Sequence, residues 1–156
     1  MLHIDVPGWK PLALEHLVLD FNGTLALDGR LLPGVRERLD GLALMLEIHV
    51  LTADTFGSVQ DQMRGIVCAV SVIPESGQAR AKAAYLDNLG PSGCVAVGNG
   101  RNDALMLQAA SLGIALLQEE GAAPGTMAVA DVVCRSVCDA LDLLANPLRL
   151  SATLRG

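Results

Sequence analysis

Six short apolar runs alternate with longer amphipathic stretches, and that alternation leaves the chain few ways to fold. His16–Asp20, Ile48–Thr52, Val67–Ile73, Cys94–Gly98, Leu112–Leu116 and Asp131–Val133 read as strands. Pro33–Met45, Thr55–Arg64, Gln78–Leu89, Asn102–Ala110 and Ser136–Ala145 read as helices, the third of them stopped by Gly90-Pro91. The strands do not alternate apolar with polar residues, so both of their faces must be covered. Strand–helix alternation with such strands specifies an α/β fold, a parallel central sheet with helices on both faces. Ligands bind such sheets outside the carboxyl ends of the strands, close to where strand order reverses. The residues just after Leu19, Leu51 and Val97 are therefore where a site should form. A hairpin is expected over residues 25–32, where Asp28-Gly29 lies between apolar flanks.

A chain of 156 residues, 51 % hydrophobic, is expected to fold as one domain over 1–156. Its motifs fall within 14–145, and 146–156 is a tail that either packs on the sheet edge or stays mobile. Net charge is −6 and pI about 4.9, which argues against a nucleic-acid partner. Aromatic residues are too few, at 3 %, for a base-stacking platform. The longest uncharged stretch, Ala104–Gln118, has 15 residues and contains Gln, Ser and Gly. A membrane span needs about 20 mostly apolar ones. The start, MLHIDVPGWK, lacks a basic-then-apolar signal pattern. The expectation is a cytoplasmic protein with no membrane partner. Cys68, Cys94, Cys134 and Cys138 form no CxxC pair and read as buried, reduced thiols. His3, His16 and His49 are scattered and read as structural.

The strand ends carry the chemistry. The first ends in Asp20-Phe21-Asn22-Gly23-Thr24-Leu25 and the second in Leu51-Thr52. The helix after the third carries Lys82, and the fourth ends in Gly98-Asn99-Gly100-Arg101-Asn102-Asp103. A carboxylate at a strand end, facing the N–H groups of a Gly-Thr turn, suits a phosphoryl acceptor. Phosphoryl transfer needs charge neutralisation, supplied by Mg²⁺ and a lysine. Mg²⁺ takes oxygen ligands and keeps several waters. Each set also has a plainer reading. Asp20 to Thr24 could be only a strand-ending turn, Thr52 a helix N-cap residue and Lys82 a solvated helix lysine. Gly98-x-Gly100 lacks the third glycine of a dinucleotide loop, and Asp103 would oppose a pyrophosphate.

Taken in order, the four sets resemble the haloacid dehalogenase (HAD) superfamily of phosphotransferases. Its pattern is DxDGT, then Thr or Ser, then Lys, then GDxxND. The spelling is most similar to the phosphorylation domain of P-type ATPases, which reads TGD at the second motif and GDGxND at the fourth. Leu51-Thr52-Ala53-Asp54, Gly98 to Asp103, Gly113-Ile114-Ala115 and Ala130-Asp131-Val132-Val133 follow that style. The chain looks like the stand-alone soluble P-type ATPase group. The resemblance implies a three-layer Rossmann-like core. It implies Asp20 as nucleophile and Mg²⁺ ligand, with the Asn22 carbonyl and Asn99 as further metal ligands. Gly23, Thr24, Thr52, Ala53 and Lys82 would hold the phosphoryl group, with Arg80 as an alternative cation. Asn102 and Asp103 would orient the metal's waters and Lys82.

The chain departs from that pattern twice. Asn22 stands where family phosphatases carry the aspartate that acts as general acid and base, a role worth roughly 10²–10⁴-fold. Asn99 stands where the family has a metal-binding aspartate, so one negative charge is missing. Thr52 follows Asp20 by 32 residues and Lys82 follows Thr52 by 30, leaving no room for a nucleotide-binding insert or a cap domain. Ion pumping is thereby excluded, and the site should be open to a large substrate or closed by a neighbouring subunit. The expected function is a slow, Mg²⁺-dependent phosphohydrolase or phosphotransferase acting through an aspartyl-phosphate on Asp20. Its partner would be a phosphorylated small molecule or macromolecule. The alternative is a degenerate relative that binds phosphate or a partner protein without turnover. Self-association is also expected, through Leu31, Leu32 and the Leu148–Leu154 tail, because exposed apolar patches usually mark interfaces.

Overall fold

The computed structural model of the chain describes residues 1–54 and 57–156. A short antiparallel hairpin, β1 (Leu2–Ile4) and β2 (Leu12–Leu14), precedes the first long strand, β3 (His16–Asp20). The expected hairpin follows as β4 (Ala26–Leu27) and β5 (Arg30–Leu31). Asp28 and Gly29 at its tip both take positive φ, 51° and 76°, as a two-residue turn matched to strand twist requires. Next come α1 (Val35–Leu42), β6 (Glu47–Thr52), α2 (Ser58–Met63), β7 (Ala69–Val72) and α3 (Gln78–Leu89). The second half holds β8 (Cys94–Gly98), α4 (Ala104–Ala109), β9 (Leu112–Leu116) and α5 (Pro124–Val129). It ends with β10 (Val132–Cys134), α6 (Val137–Ala145) and α7 (Pro147–Leu154).

The six expected strands form one parallel sheet in the order β10-β9-β8-β3-β6-β7. The chain builds outward from β3 through β6 to β7. It then returns to the other side of β3 and builds outward again through β8, β9 and β10. That reversal makes β3 and β8 neighbours, with Leu19 opposite Val97. Asp20 and Gly98 thus end the two strands that flank the switch in order, where a crevice opens in this class of sheet.

Alternate residues of β3 serve opposite layers. Leu17 and Leu19 join one core with Val35 and Leu39 of α1 and Leu141 and Leu144 of α6. Val18 joins the other with Leu86 of α3 and Met106 and Leu107 of α4. Burying one such side chain is worth ~1.5–3 kcal/mol, and both faces of the strand are used, so no polar residue interrupts it. Asp20 shares the face of Val18 and is turned toward α3.

Several elements differ from the sequence reading. The β1–β2 hairpin was not expected, because each strand offers only two inward residues, Leu2 and Ile4 or Leu12 and Leu14. The short α5, opened by Pro124, was not expected either. The helix expected over Asn102–Ala110 opens as a 3₁₀ turn, Arg101–Asp103. The helix expected over Thr55–Arg64 is Ser58–Met63, and Thr55 lies outside the described residues. Among the described residues no helix is long and apolar enough to cross a membrane.

The tail forms α7 and folds back on the N-terminal hairpin. Leu150 is fully buried, the Ser151 hydroxyl donates to the Asp5 carbonyl at 2.9 Å, and the Gly156 N–H donates to the Pro7 carbonyl at 3.2 Å. Leu31, Leu32 and Leu154 are half-buried against the core. The apolar residues singled out for self-association are therefore largely used within the chain, while Leu148 stands 86 % exposed. Leu150→Ala should lower the unfolding free energy by about 2–5 kcal/mol. Leu148→Ala should change it by no more than about 0.5 kcal/mol. Urea unfolding of the two variants checks the contrast.

Candidate active site

Asp20 closes β3 with its carboxylate nearly buried. Lys82, one turn into α3, reaches it from the layer above. Its Nζ lies 2.6 Å from Asp20 Oδ1 and 2.6 Å from Asp103 Oδ1. Lys82 is 1 % exposed and Asp103 fully buried. The second oxygen of Asp103 accepts the backbone N–H groups of Asn99 (3.0 Å) and Gly100 (2.9 Å), which fixes the 3₁₀ turn at the end of β8. Gly98 is needed there because a Cβ at that position would overlap the Asp103 side chain.

Burial is the largest influence on Asp20, and the Asp103 charge adds to it; together they push its pKa up from 3.8 to about 7, against the pull of Lys82 and Thr24. Burial alone would lower the Lys82 pKa, but Asp20 and Asp103 outweigh it and hold the ammonium above its ordinary value. The thiols of Cys94 and Cys134 are pushed up to about 11, chiefly by burial. They are not thiolate nucleophiles at neutral pH.

The turn after β3 wraps around the Phe21 carbonyl, which accepts the N–H groups of Thr24, Leu25 and Ala26. Gly23, at φ 79°, donates its own N–H to the Ala26 carbonyl at 2.8 Å. The N–H groups of Gly23 and Thr24, expected to face a phosphate, are thus engaged within the turn. What Thr24 offers Asp20 is its buried hydroxyl, 3.4 Å from Oδ2. Thr52 is buried at the end of β6, one residue beyond the partner of Asp20 in the ladder. Its Oγ1 accepts the Asp54 N–H at 3.0 Å, which leaves the hydroxyl hydrogen to donate outward. Ala53 beside it is half-buried.

The other expected residues divide. Arg80 points to solvent, and Lys82 is the cation that meets Asp20. The hydrogen bonds of Lys82 go to Asp20 and Asp103, and that of Asn102 goes elsewhere. Its amide donates to Gln78 Oε1 at 2.5 Å and ties the 3₁₀ turn to the start of α3. The Asn22 side chain is exposed. Asn99 is nearly buried, and its Nδ2 donates to the Gly121 carbonyl at 2.9 Å.

That last bond belongs to a strap the sequence reading missed. Gln118 Nε2 donates to the Gly23 and Thr24 carbonyls at 2.9 and 2.7 Å, while its Oε1 accepts the Val137 N–H at 2.8 Å. Between these anchors Glu120 lies over Gly23. A Cβ on Gly23 would collide with Glu120 Oε2 and come within 2.9 Å of Asn99 Oδ1. Gly23 therefore leaves room for a carboxylate and an amide oxygen at the mouth of the site. The sequence signal for it is the Glu119-Glu120 pair just past the end of β9. Beside the strap opens a cavity of about 450 Å³ lined by Leu32, Pro33, Gln118, Arg135, Ser136 and Val137.

Oxygens of Glu120 and Asn99 meet above Gly23, on the turn that follows Asp20, and oxygen donors are what hard divalent cations such as Mg²⁺ take. Two carboxylates, Asp20 and Asp103, share the one Lys82 ammonium, so the balance of charge also favours a cation. The residues present fit such an ion.

No family model matches the chain. Two uncharacterized proteins of Methanocaldococcus jannaschii are similar in sequence. MJ0073 is 49 % identical over 61 residues, 39 % of this chain and 66 % of that protein. MJ0072 is 51 % identical over 39 residues, 25 % of this chain and 89 % of that protein. The chain thus spans just under two-thirds of the first. In structure it is similar to 3-deoxy-D-manno-octulosonate 8-phosphate phosphatase of Moraxella catarrhalis, solved with magnesium, phosphate and KDO. The TM-score is 0.71 at 15 % identity, over 92 % of this chain and 94 % of that one. The cobalt-bound deoxy-D-mannose-octulosonate 8-phosphate phosphatase of Haemophilus influenzae gives 0.72 at 10 % identity over the same shares, 92 % and 94 %. A HAD family hydrolase of Streptomyces avermitilis gives 0.68 at 19 % identity, over 90 % and 89 %. At these identities the likeness is one of fold.

The raised pKa of Asp20 has a consequence for stability. The folded chain holds this proton more tightly than the unfolded chain does. The resulting stabilisation is present below pH 3.8 and is lost as pH rises through about 7. Asp20→Asn cannot ionise, so in EDTA it should gain stability relative to the native chain as pH rises across that window. Urea unfolding at a series of pH values checks this, and a difference independent of pH would contradict it.

Proposed function

We propose that this chain, which belongs to one family with the two Methanocaldococcus jannaschii proteins and has the HAD phosphatase fold, is a metal-dependent phosphohydrolase or phosphotransferase acting through Asp20. The observation that carries the reading is the buried Lys82 ammonium, held at 2.6 Å from both Asp20 and Asp103 where the strand order switches. Such a cation beside a strand-end carboxylate is what a transferring phosphoryl group needs around it.

In the proposed reaction an Asp20 carboxylate oxygen attacks phosphorus and the bond to the leaving oxygen breaks. The leaving alkoxide takes a proton from water, and an acyl-phosphate remains on Asp20. Water then attacks that phosphorus, releasing phosphate and restoring the carboxylate. Lys82 and the hydroxyls of Thr24 and Thr52 donate to the phosphoryl oxygens. Asp103 keeps Lys82 charged and aimed. Asp20, Asn99 Oδ1, Glu120 and the Asn22 carbonyl would hold Mg²⁺, which supplies neutralisation of the phosphoryl and carboxylate charges when bound. The cavity lined by Gln118 and Arg135 would take the leaving group of a phosphorylated substrate.

Asn22 carries no acid–base group, so breakdown of the acyl-phosphate should be the slow step. The same exposed amide favours a second reading, a phosphate-binding protein without turnover. Aryl-phosphate hydrolysis across a Mg²⁺ titration separates the two. Asp20→Asn should abolish turnover, and Asn22→Asp should raise it by roughly 10²–10⁴-fold. Asn99→Asp should lower the Mg²⁺ needed while leaving the saturated rate little changed. Absence of turnover in the native chain and in both gain variants would support the binding protein instead.

A further inference from the structure

We propose that His16, Glu47 and His49 form a second metal site, selective for a zinc-type divalent ion, at the end of the sheet opposite Asp20. His16 opens β3 and faces Glu47, which opens β6, across the ladder. His49 lies two residues further along β6 on the same face. His16 Nδ1 stands 3.1 Å from His49 Nε2 and 3.5 Å from Glu47 Oε2. All three donor atoms lie within 4.8 Å of one another. Two ligands of a tetrahedral zinc ion, each about 2.0–2.1 Å from it, stand roughly 3.3 Å apart. The fold thus brings the donors to coordination spacing by itself.

A second observation concerns the far side of His49. Its Nδ1 lies 3.0 Å from the Tyr85 hydroxyl, which in turn accepts from Ser71 Oγ at 3.3 Å. The two rings meet edge to face, with centroids 5.7 Å apart. The outer nitrogen of a metal-bound imidazole is almost always held this way, which fixes the ring and its tautomer. Without an ion the two imidazoles share one hydrogen across the 3.1 Å gap. With an ion both facing nitrogens present lone pairs. The His49 proton then sits on Nδ1 facing the Tyr85 oxygen, and the His16 proton sits on Nε2.

Two imidazoles and one carboxylate suit zinc, cobalt or nickel, whereas the oxygen donors near Asp20 suit magnesium. The two sites should therefore not compete. Glu47 is exposed, so the outer side of the ion stays open to water. Lys82 and Tyr85 are three residues apart on one face of α3. The same helix thus reaches Asp20 with one side chain and His49 with the other. An ion here would fasten β3, β6 and α3 together below the site.

Tag-free protein stripped with EDTA is titrated with Co²⁺, followed by its visible absorption, and with Zn²⁺ by calorimetry and thermal unfolding. One equivalent should bind, raise the unfolding temperature and resist displacement by Mg²⁺. His16→Gln and Glu47→Gln should each weaken binding roughly tenfold or more. Glu47 is exposed, so that variant tests the site without disturbing the core. Asp20→Asn should bind as the native chain does, which separates this proposal from the phosphoryl-transfer reading. No saturable uptake would overturn it. So would uptake undiminished in both variants, which would place the ion on cysteines or elsewhere.

Discussion

A lysine ammonium buried between two carboxylates governs the arrangement of this molecule. An ammonium in an apolar interior without partners costs several kcal/mol, and removing one partner of a buried pair costs about 3–5 kcal/mol. Lys82 therefore obliges α3 to sit over the end of β3, where Asp20 waits. It also obliges the turn after β8 to deliver Asp103. Asp103 meets that demand only because Asn99 and Gly100 turn their N–H groups onto its second oxygen. Three chain segments far apart in sequence are thereby held together at one point.

The charges that fix the shape of the site are Asp20, Lys82 and Asp103. The two asparagines lie at the periphery, Asn22 exposed and Asn99 bridging to Gly121 through its amide. That bridge sits beside Glu120, whose carboxylate lies over Gly23. The cost of burying two carboxylates against one ammonium shows in the pKa of Asp20, raised chiefly by burial and then by the Asp103 charge.

Most of the architecture was legible in the sequence because β3, β6, β8 and β9 are buried on both faces and read as apolar runs, interrupted in β6 by His49. The motif residues were legible because strand ends in a parallel sheet gather at one edge. The β1–β2 hairpin was not, since three-residue strands carry too little periodicity. Gln118 and Glu120 were not, because they reach the site on a loop whose path is set by side-chain bonds to Gly23, Thr24 and Val137. His16 and His49 looked scattered at 33 residues apart, and only the register of β3 against β6 makes them neighbours. The N–H groups of Gly23 and Thr24 looked like phosphate donors, and only the observed turn reveals that they are engaged with Ala26 and Phe21.

The most direct test of the central claim, that the Lys82-bound Asp20 accepts a phosphoryl group, is chemical trapping. The protein is incubated with acetyl phosphate and Mg²⁺, reduced with borohydride to convert any acyl-phosphate to homoserine, and mapped by peptide mass spectrometry. The account predicts homoserine at position 20 and none in an Asp20→Asn control. An unmodified Asp20 in folded protein at saturating donor, or modification at another carboxylate instead, would contradict it.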